Sequence, residues 1–516
     1  MPQHYDIIVI GSGAGGGTLT YALAPTGKKV LLLERGGWYP REKENWNSVS
    51  VWGDLRYRNA GRWVDQGGKQ FNPKQHYYVG GNTKVYGAVL FRMRERDFNP
   101  VFHVDGVSPE WPLKYEDWEP WYTQAEHLYH VHGERGADPL DPPASAPYRF
   151  PPMSHEARIE QLAHDLKGAG LTPFPLPRGI MIDEEYPERS PCIRCSTCDG
   201  FACLVKAKAD AQVVCVEPAL THPNVTLLTD SRVTRLETGP DGHSVTKVIV
   251  ERAGQREEYT ADVVAVCCGA INSAALLLSS ASDRHPDGLG NSSGMVGRNL
   301  MMHNNSSLIA ISKEPNPTVF EKTLGVNDYY YGDGDWDYPL GAIQMLGRSD
   351  AFTISLDAPH AKDPADLAAH SLDFWLTTED LPLWQNRVEV EPTGRIKLTY
   401  TPTNLEAHDR LTAKFRSLLD TMRCQDEVID RCSYLGGRLG VSGVAHQNGT
   451  VRFGTDPATS ALDVNCKLHD LDNLYVVDSS FFCSSTAVNP TLTIIANALR
   501  VADHLTDRLG AKGVVQ

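Results

Sequence analysis

Two groups of residues in this 516-residue chain have types and spacings that imply chemistry. The first is Gly11-Ser12-Gly13-Ala14-Gly15-Gly16, which fits G-x-G-x-x-G, with an acid, Glu34, about 20 residues further on. Glycine at Gly11, Gly13 and Gly16 permits a tight turn, the approach of a pyrophosphate to the backbone, and close packing of a helix on a sheet. A helix behind such a turn offers free N–H groups and a partial positive charge to a diphosphate. Glu34 is placed to accept hydrogen bonds from a ribose 2′-hydroxyl, and its charge disfavours a 2′-phosphate. These residues predict a dinucleotide site. The second group is Cys192, Cys195, Cys198 and Cys203, spaced C-x2-C-x2-C-x4-C. Four thiols this close could ligate an iron–sulfur cluster or zinc. The last gap of four, with no proline after Cys203, departs from the bacterial ferredoxin run. A surface disulfide or plain reduced thiols fit the spacing as well, and no bound metal is expected.

The elements that must hold the glycines are readable on either side of them. Asp6 to Ile10 contains the apolar run Ile7-Ile8-Val9-Ile10, expected as a buried parallel strand. Thr18 to Ala24 can continue as a helix, and Lys29 to Leu33 returns as a second strand ending in Glu34. After Arg35-Gly36-Gly37-Trp38 a polar, aromatic loop runs to about Gln75, a length that usually covers a site. In Tyr77 to Phe91 the adjacent glycines Gly80 and Gly81 can bring the backbone close to a flat cofactor. Trp118, Tyr122, Ala125 and Tyr129 recur at helical spacing, a core-facing stripe. Strands are expected at Val225 to Leu228, Val233 to Leu236, Val245 to Glu251 and Val263 to Cys267. Gly269-Ala270 leads from the last of them into a helix over Asn272 to Leu278. From about Asn304 to Ser442 alternating segments such as Arg395 to Tyr400 flank one helix, Glu406 to Asp420, which predicts a second domain on an antiparallel sheet.

Hydrophobic residues make up 41% and charged residues 22%, the balance of an ordinary globular chain. A formal charge of −15 excludes non-specific nucleic-acid binding. No apolar stretch reaches membrane-spanning length, and a first strand at about residue 5 leaves no room for a signal peptide, so no membrane contact and a cytoplasmic location are expected.

The Gly11 to Glu34 unit, GGNTKVYG at Gly80 to Gly87, the Gly269-Ala270 turn, TVRFGTDP at Thr450 to Pro457 and NLYVVDSSFFCSSTAVNPTLTIIANALRVADH at Asn473 to His504 form a set. Together they resemble the glucose-methanol-choline (GMC) oxidoreductases, FAD enzymes that oxidise alcohols. Within that family GGNTKVYGA and EPNPTVFEKTLG are most similar to bacterial glycoside 3-oxidases and pyranose oxidases. The resemblance implies a fold of mixed class, α/β with α+β. A Rossmann-like FAD-binding domain would come from residues 1–100, 204–303 and 443–516. A substrate-binding domain would come from 101–203, with the cysteine loop 192–203, and 304–442. It carries cofactor binding onto Gly11, Gly13, Ala14, Gly16, Glu34, Arg35, Gly80, Gly81, Asn82, Val233, Gly269, Asp478, Asn489, Pro490 and Thr491.

The family's catalytic His/His or His/Asn pair falls here on His446 and Asn489. A neutral imidazole with pKa near ~6.5 can take a hydroxyl proton at physiological pH. Asn489 cannot titrate, and its amide can hold the developing alkoxide. Some relatives link FAD through a histidine shortly after the glycine pair; none occurs in Asn82 to Tyr86, so FAD is expected to be noncovalent. The implied reaction is oxidation of a ring hydroxyl of a sugar or glycoside, at C3 or C2, with O2 as electron acceptor and H2O2 as product. A dehydrogenase passing electrons to a quinone or protein, with the cysteine run as relay, and a lyase that keeps FAD without redox turnover are the rivals. Gln344 and Trp384 suit sugar hydroxyls and ring faces but are assigned no role.

Overall fold

The apolar run Ile7 to Ile10 sits in the middle of a seven-stranded sheet in the computed structural model, which describes residues 2–73, 75–430 and 446–511. Strand β1 (Gln3–Ile10) is followed by helix α1 (Ala14–Leu23) and strand β2 (Val30–Leu33). β1 pairs in parallel with β2 on one side and with Gln255–Val266 on the other. Val225–Leu228 adds to the outer edge of β2, and Leu474–Val476 lies parallel to the end of Gln255–Val266. Both faces of these strands are covered, so the code of Ile7, Ile8, Val9 and of Val30 to Leu33 is continuous hydrophobicity without alternation. Two antiparallel strands, Ser231–Thr238 and Val245–Arg252, extend the sheet from the first half of Gln255–Val266.

The register has a direct consequence for chemistry. Ile10 is aligned with Leu33 and with Val266, and Val266 with Val476. The four segments that leave these strand ends, beginning at Gly11, Glu34, Cys267 and Val477, therefore emerge side by side at the carboxyl edge of the sheet. Ligands of open parallel sheets bind in the crevice there.

A second sheet has six strands, all antiparallel, in the order Cys424–Asp430, Asn304–Ser312, Ser371–Thr378, Ala342–Met345, Leu324–Val326, Phe174–Pro175. Side chains alternate across it. Ile343, Met345, Phe374 and Leu376 pack beneath the helices Ala157–Gly168 and Leu405–Ser417, against Leu162, Leu411 and Phe415. Gln344 and Trp375, directly opposite each other in the ladder, belong to the other face. The alternating segment near Arg395 does not join this sheet. Ile396–Thr399 pairs with Arg387–Val390 and, in parallel, with Trp63–Asp65 from the long loop after Trp38, in a separate four-stranded sheet.

The stripe at Trp118, Tyr122 and Ala125 is buried on helix Tyr115–Leu128, as its spacing requires. Its partner is helix Thr491–Arg508, where the Tyr122 hydroxyl lies 2.8 Å from Thr493 Oγ1; Trp118 stacks at 5.7 Å on Phe481, in the turn Ser479–Phe481 that precedes that helix. Each buried ring contributes about 1.5–3 kcal/mol. This helix therefore packs with helix Thr491–Arg508. The boundary at 442/443 lies outside the described residues. Among the described residues no helix is long and apolar enough to cross a membrane.

Candidate active site

A cavity of about 430 Å³ runs along the carboxyl ends of the parallel strands and continues to the open face of the antiparallel sheet. Its wall contains Gly11, Gly13, Ala14, Glu34, Arg35, Gly81, Asn82, Val233, Gly269, Asp478, Pro490 and Thr491, and at the far end His446 and Asn489. The long loop after Trp38 closes one side with Tyr39, Trp52, Tyr57 and Gln75. Gly16 and Gly80 are not in the wall. A Cβ on Gly16 would lie 1.9 Å from Gly11 O, so this glycine lets α1 press on the turn. Gly80 donates its N–H to Ser12 Oγ at 3.1 Å.

Three helices, α1, Ala270–Ser279 and Thr491–Arg508, begin at the cavity behind Gly13, Gly269 and Pro490, none of which gives a side-chain cap. Helix N-termini leave N–H groups without internal partners, and their dipoles add partial positive charge. A Cβ on Gly13 or Gly269 would meet no atom within 4 Å, so bare backbone forms this part of the wall. Glu34 is buried here. Its Oε2 accepts from Ser12 N at 3.1 Å and Ser12 Oγ at 2.5 Å, and its Oε1 from Gly36 N at 2.9 Å. Burial pushes its carboxyl up, and these donors pull it back. Asp478 commits both oxygens to protein: Oδ2 to Gly269 N (2.9 Å) and Ser273 Oγ (2.5 Å), Oδ1 to Ser480 N (2.8 Å) and Ser480 Oγ (2.5 Å). It works as a clamp between two turns of the wall. The bare glycines, the uncapped helix ends and a buried acid fit a dinucleotide diphosphate and its ribose.

At the far end the two imidazoles of His446 and His303 meet with Nδ1 to Nδ1 at 2.9 Å. His303 Nε2 lies 2.9 Å from Ser485 O. A carbonyl only accepts, so His303 carries its proton on Nε2 and its Nδ1 is an acceptor. His446 must then donate from Nδ1, which leaves its Nε2 with a lone pair on a ring that lines the cavity. Burial, followed by the neighbouring His303, holds the His446 imidazole well below its ordinary value, and burial lowers His303 too. This corrects the expected pKa near ~6.5 downward. Both rings are neutral at physiological pH. Asn489 Oδ1 accepts from Gln344 Nε2 at 3.1 Å, which turns the Asn489 NH2 group away as a donor. Gln344 Oε1 and Trp375 Nε1 are buried in the wall without a hydrogen-bond partner among the described residues.

Several of these residues escape sequence reasoning: His303, Trp375, and the buried ion pair Lys322–Asp199, whose Nζ and Oδ2 are 2.5 Å apart. Gln344 acquires a contact that the sequence does not suggest. Trp384 stays outside, exposed beneath Arg298 at 4.7 Å. Cys192, Cys195, Cys198 and Cys203 are free thiols; Cys192 and Cys198 pack near Ile180 and Phe320, and Arg178 Nη2 donates to Cys198 Sγ at 3.2 Å. Among the described residues no group of three or more His, Cys, Asp or Glu is arranged to hold a metal. Cys267 and Cys268, at a strand end, belong both to the core and to the cavity wall.

A parallel sheet with a crevice at its carboxyl edge, joined through one cavity to the open face of an antiparallel sheet and to a buried histidine, is the architecture of a dinucleotide-binding enzyme. Residues 176–305 and 385–498 match two family models, both described as GMC oxidoreductase. The 6'''-hydroxyparomomycin C oxidase of Streptomyces lividus is 32% identical over 98% of this chain and 92% of its own. Paromamine 6'-oxidase of Streptomyces fradiae is 31% identical over 96% and 90%. The fold matches that of pyridoxine 4-oxidase from Mesorbium loti with a TM-score of 0.66, at 18% identity and covering 98% and 99% of the two chains. The chain belongs to the GMC oxidoreductase family. It is an oxidoreductase, and its cofactor is FAD.

Proposed function

We propose that this protein oxidises a secondary ring hydroxyl of a sugar or glycoside, at C3 or C2, to the ketone, and that O2 takes the electrons and leaves as H2O2. Bound FAD supplies the hydride acceptor. The hydroxyl proton goes to Nε2 of His446, and the Asn489 amide donates to the carbinol oxygen as negative charge develops there. The observation that carries this reading is the hydrogen-bond chain from His446 through His303 to Ser485 O, which fixes the His446 tautomer and leaves a lone pair at the cavity. Two relatives are named as oxidases of sugar-derived substrates, which supports the substrate class. The test is an anaerobic screen of monosaccharides and glycosides for flavin bleaching, with the oxidised carbon read by NMR and peroxide assayed on readmitting air. Bleaching by simple alcohols and by no sugar would sink the proposal. Bleaching by sugars without peroxide on reoxidation would move it to a dehydrogenase.

On the cofactor side, we assign the ribose to Glu34 and the diphosphate to the backbone at Gly11, Gly13, Ala14 and Gly269. Arg35, Val233, Gly81 and Asn82, with Asp478, Pro490 and Thr491, complete the wall, and Gly16 and Gly80 support it from behind. Glu34→Ala should weaken FAD binding by about 1.5–3 kcal/mol, measured by titrating the apoprotein; an unchanged affinity would free Glu34 from the ribose. FAD should come off into the supernatant on acid precipitation, and flavin left in the pellet would mean a covalent link.

A further inference from the structure

Lys322 and Asp199 are both buried, and both line the cavity whose wall also contains His446 and Asn489. The Lys322 ammonium has three N–H donors. One goes to Asp199 Oδ2 at 2.5 Å, and among the described residues Lys322 Nζ has no other acceptor. Asp199, by contrast, has further partners, so the open end of the pair is the cation. Arg178, whose Nη1 donates to the Lys322 carbonyl at 2.7 Å, adds a second positive charge close by. The chain makes room for this arrangement: a Cβ on Gly87 would stand 2.5 Å from Lys322 Nζ and 2.9 Å from Asp199 Oδ1.

A buried ammonium with donors to spare needs an oxygen acceptor, and it repels another cation strongly where the dielectric is low. We propose that Lys322, held by Asp199, selects the substrate: it donates to the oxygen of the hydroxyl beside the carbinol and turns away sugars that carry an ammonium at that position. This rests on the sugar-oxidation reading above and narrows it to sugars with a hydroxyl, and no ammonium, beside the carbinol.

Three probes separate the outcomes: methyl glucoside and its analogues with hydrogen or an amino group in place of the hydroxyl next to the oxidised carbon. A site built around such a hydroxyl should prefer the parent over the deoxy compound by about 10²-fold or more in kcat/KM, and over the aminated compound by more still. In the paired neutral variant, Lys322→Met with Asp199→Asn, no lone buried charge remains. With FAD content and Tm retained, its three values should fall within about 10-fold of one another, the loss for the parent lying mainly in KM. Equal turnover of all three probes by the wild type, which needs no variant to fold, overturns the selection and leaves sugar oxidation standing. So does a folded variant that keeps the wild-type preference. Failure of every sugar to bleach the flavin overturns the oxidation itself, and the inference with it.

Discussion

His446→Ala should retain FAD but slow anaerobic flavin reduction by about 10²–10⁴-fold, the factor that a positioned general base supplies. The loss should belong to the reductive half-reaction, because in the proposed mechanism Nε2 accepts the hydroxyl proton. The pH profile of the wild type follows from burial. The active form of His446 is the deprotonated one, and burial with the neighbouring His303 holds its pKa well below 6.5. The rate of reduction should therefore be flat through neutral pH and fall only in acid, as the imidazole finally protonates. Asn489→Ala costs less and leaves this shape intact, since an amide does not titrate. Stopped-flow reduction across pH decides the matter. A wild-type inflection above about 7 would show that the base is not an imidazole in this environment, and normal reduction by His446→Ala would return His446 to a structural role.

The second large effect belongs to His303, which touches neither cavity nor reacting atoms in this assignment and acts by fixing a tautomer. Without an acceptor at its Nδ1, His446 is free to carry its proton on Nε2, where it blocks the base. His303→Ala should slow flavin reduction by about 10–10²-fold with FAD still bound. A merely structural histidine would not respond to the identity of its replacement in a chemically ordered way. In His303→Asn the amide Oδ1 takes the place of Nδ1 and can accept the same proton, while the bond to Ser485 O is lost. This variant should recover most of the rate that alanine forfeits. Equal rates for the two variants would mean that His303 only fills space.

What was legible in the sequence is what one stretch of chain accomplishes by itself. The Gly11 to Gly16 turn, the strands around it and Glu34 form a unit whose hydrophobic run, glycines and acid are each dictated by local geometry, and the structure places them at one crevice. The Gly269 and Asp478 turns were legible for the same reason, as small or polar residues at the ends of apolar strands. The register of the strands then decided that these separate turns share a floor. Asp478 shows the limit of the reading: an acid at such a turn invites a ligand, yet its oxygens are consumed by Gly269, Ser273 and Ser480.

Other features belong to the tertiary structure alone. His303 and His446 are 143 residues apart, and Lys322 and Asp199 are 123 apart. Neither pair has a spacing that a periodicity could reveal. Gln344 and Trp375 reach the cavity because of their parity in an antiparallel ladder, where a slip of one residue would point both into the helix-covered core. The residue type of His446 carries a base with an ordinary pKa; its tautomer and its lowered pKa come from a carbonyl, a second imidazole and burial, none of which is near it in the chain. Local chemistry is written in neighbouring residues, whereas electrostatics depends on whatever the fold brings within a few ångströms.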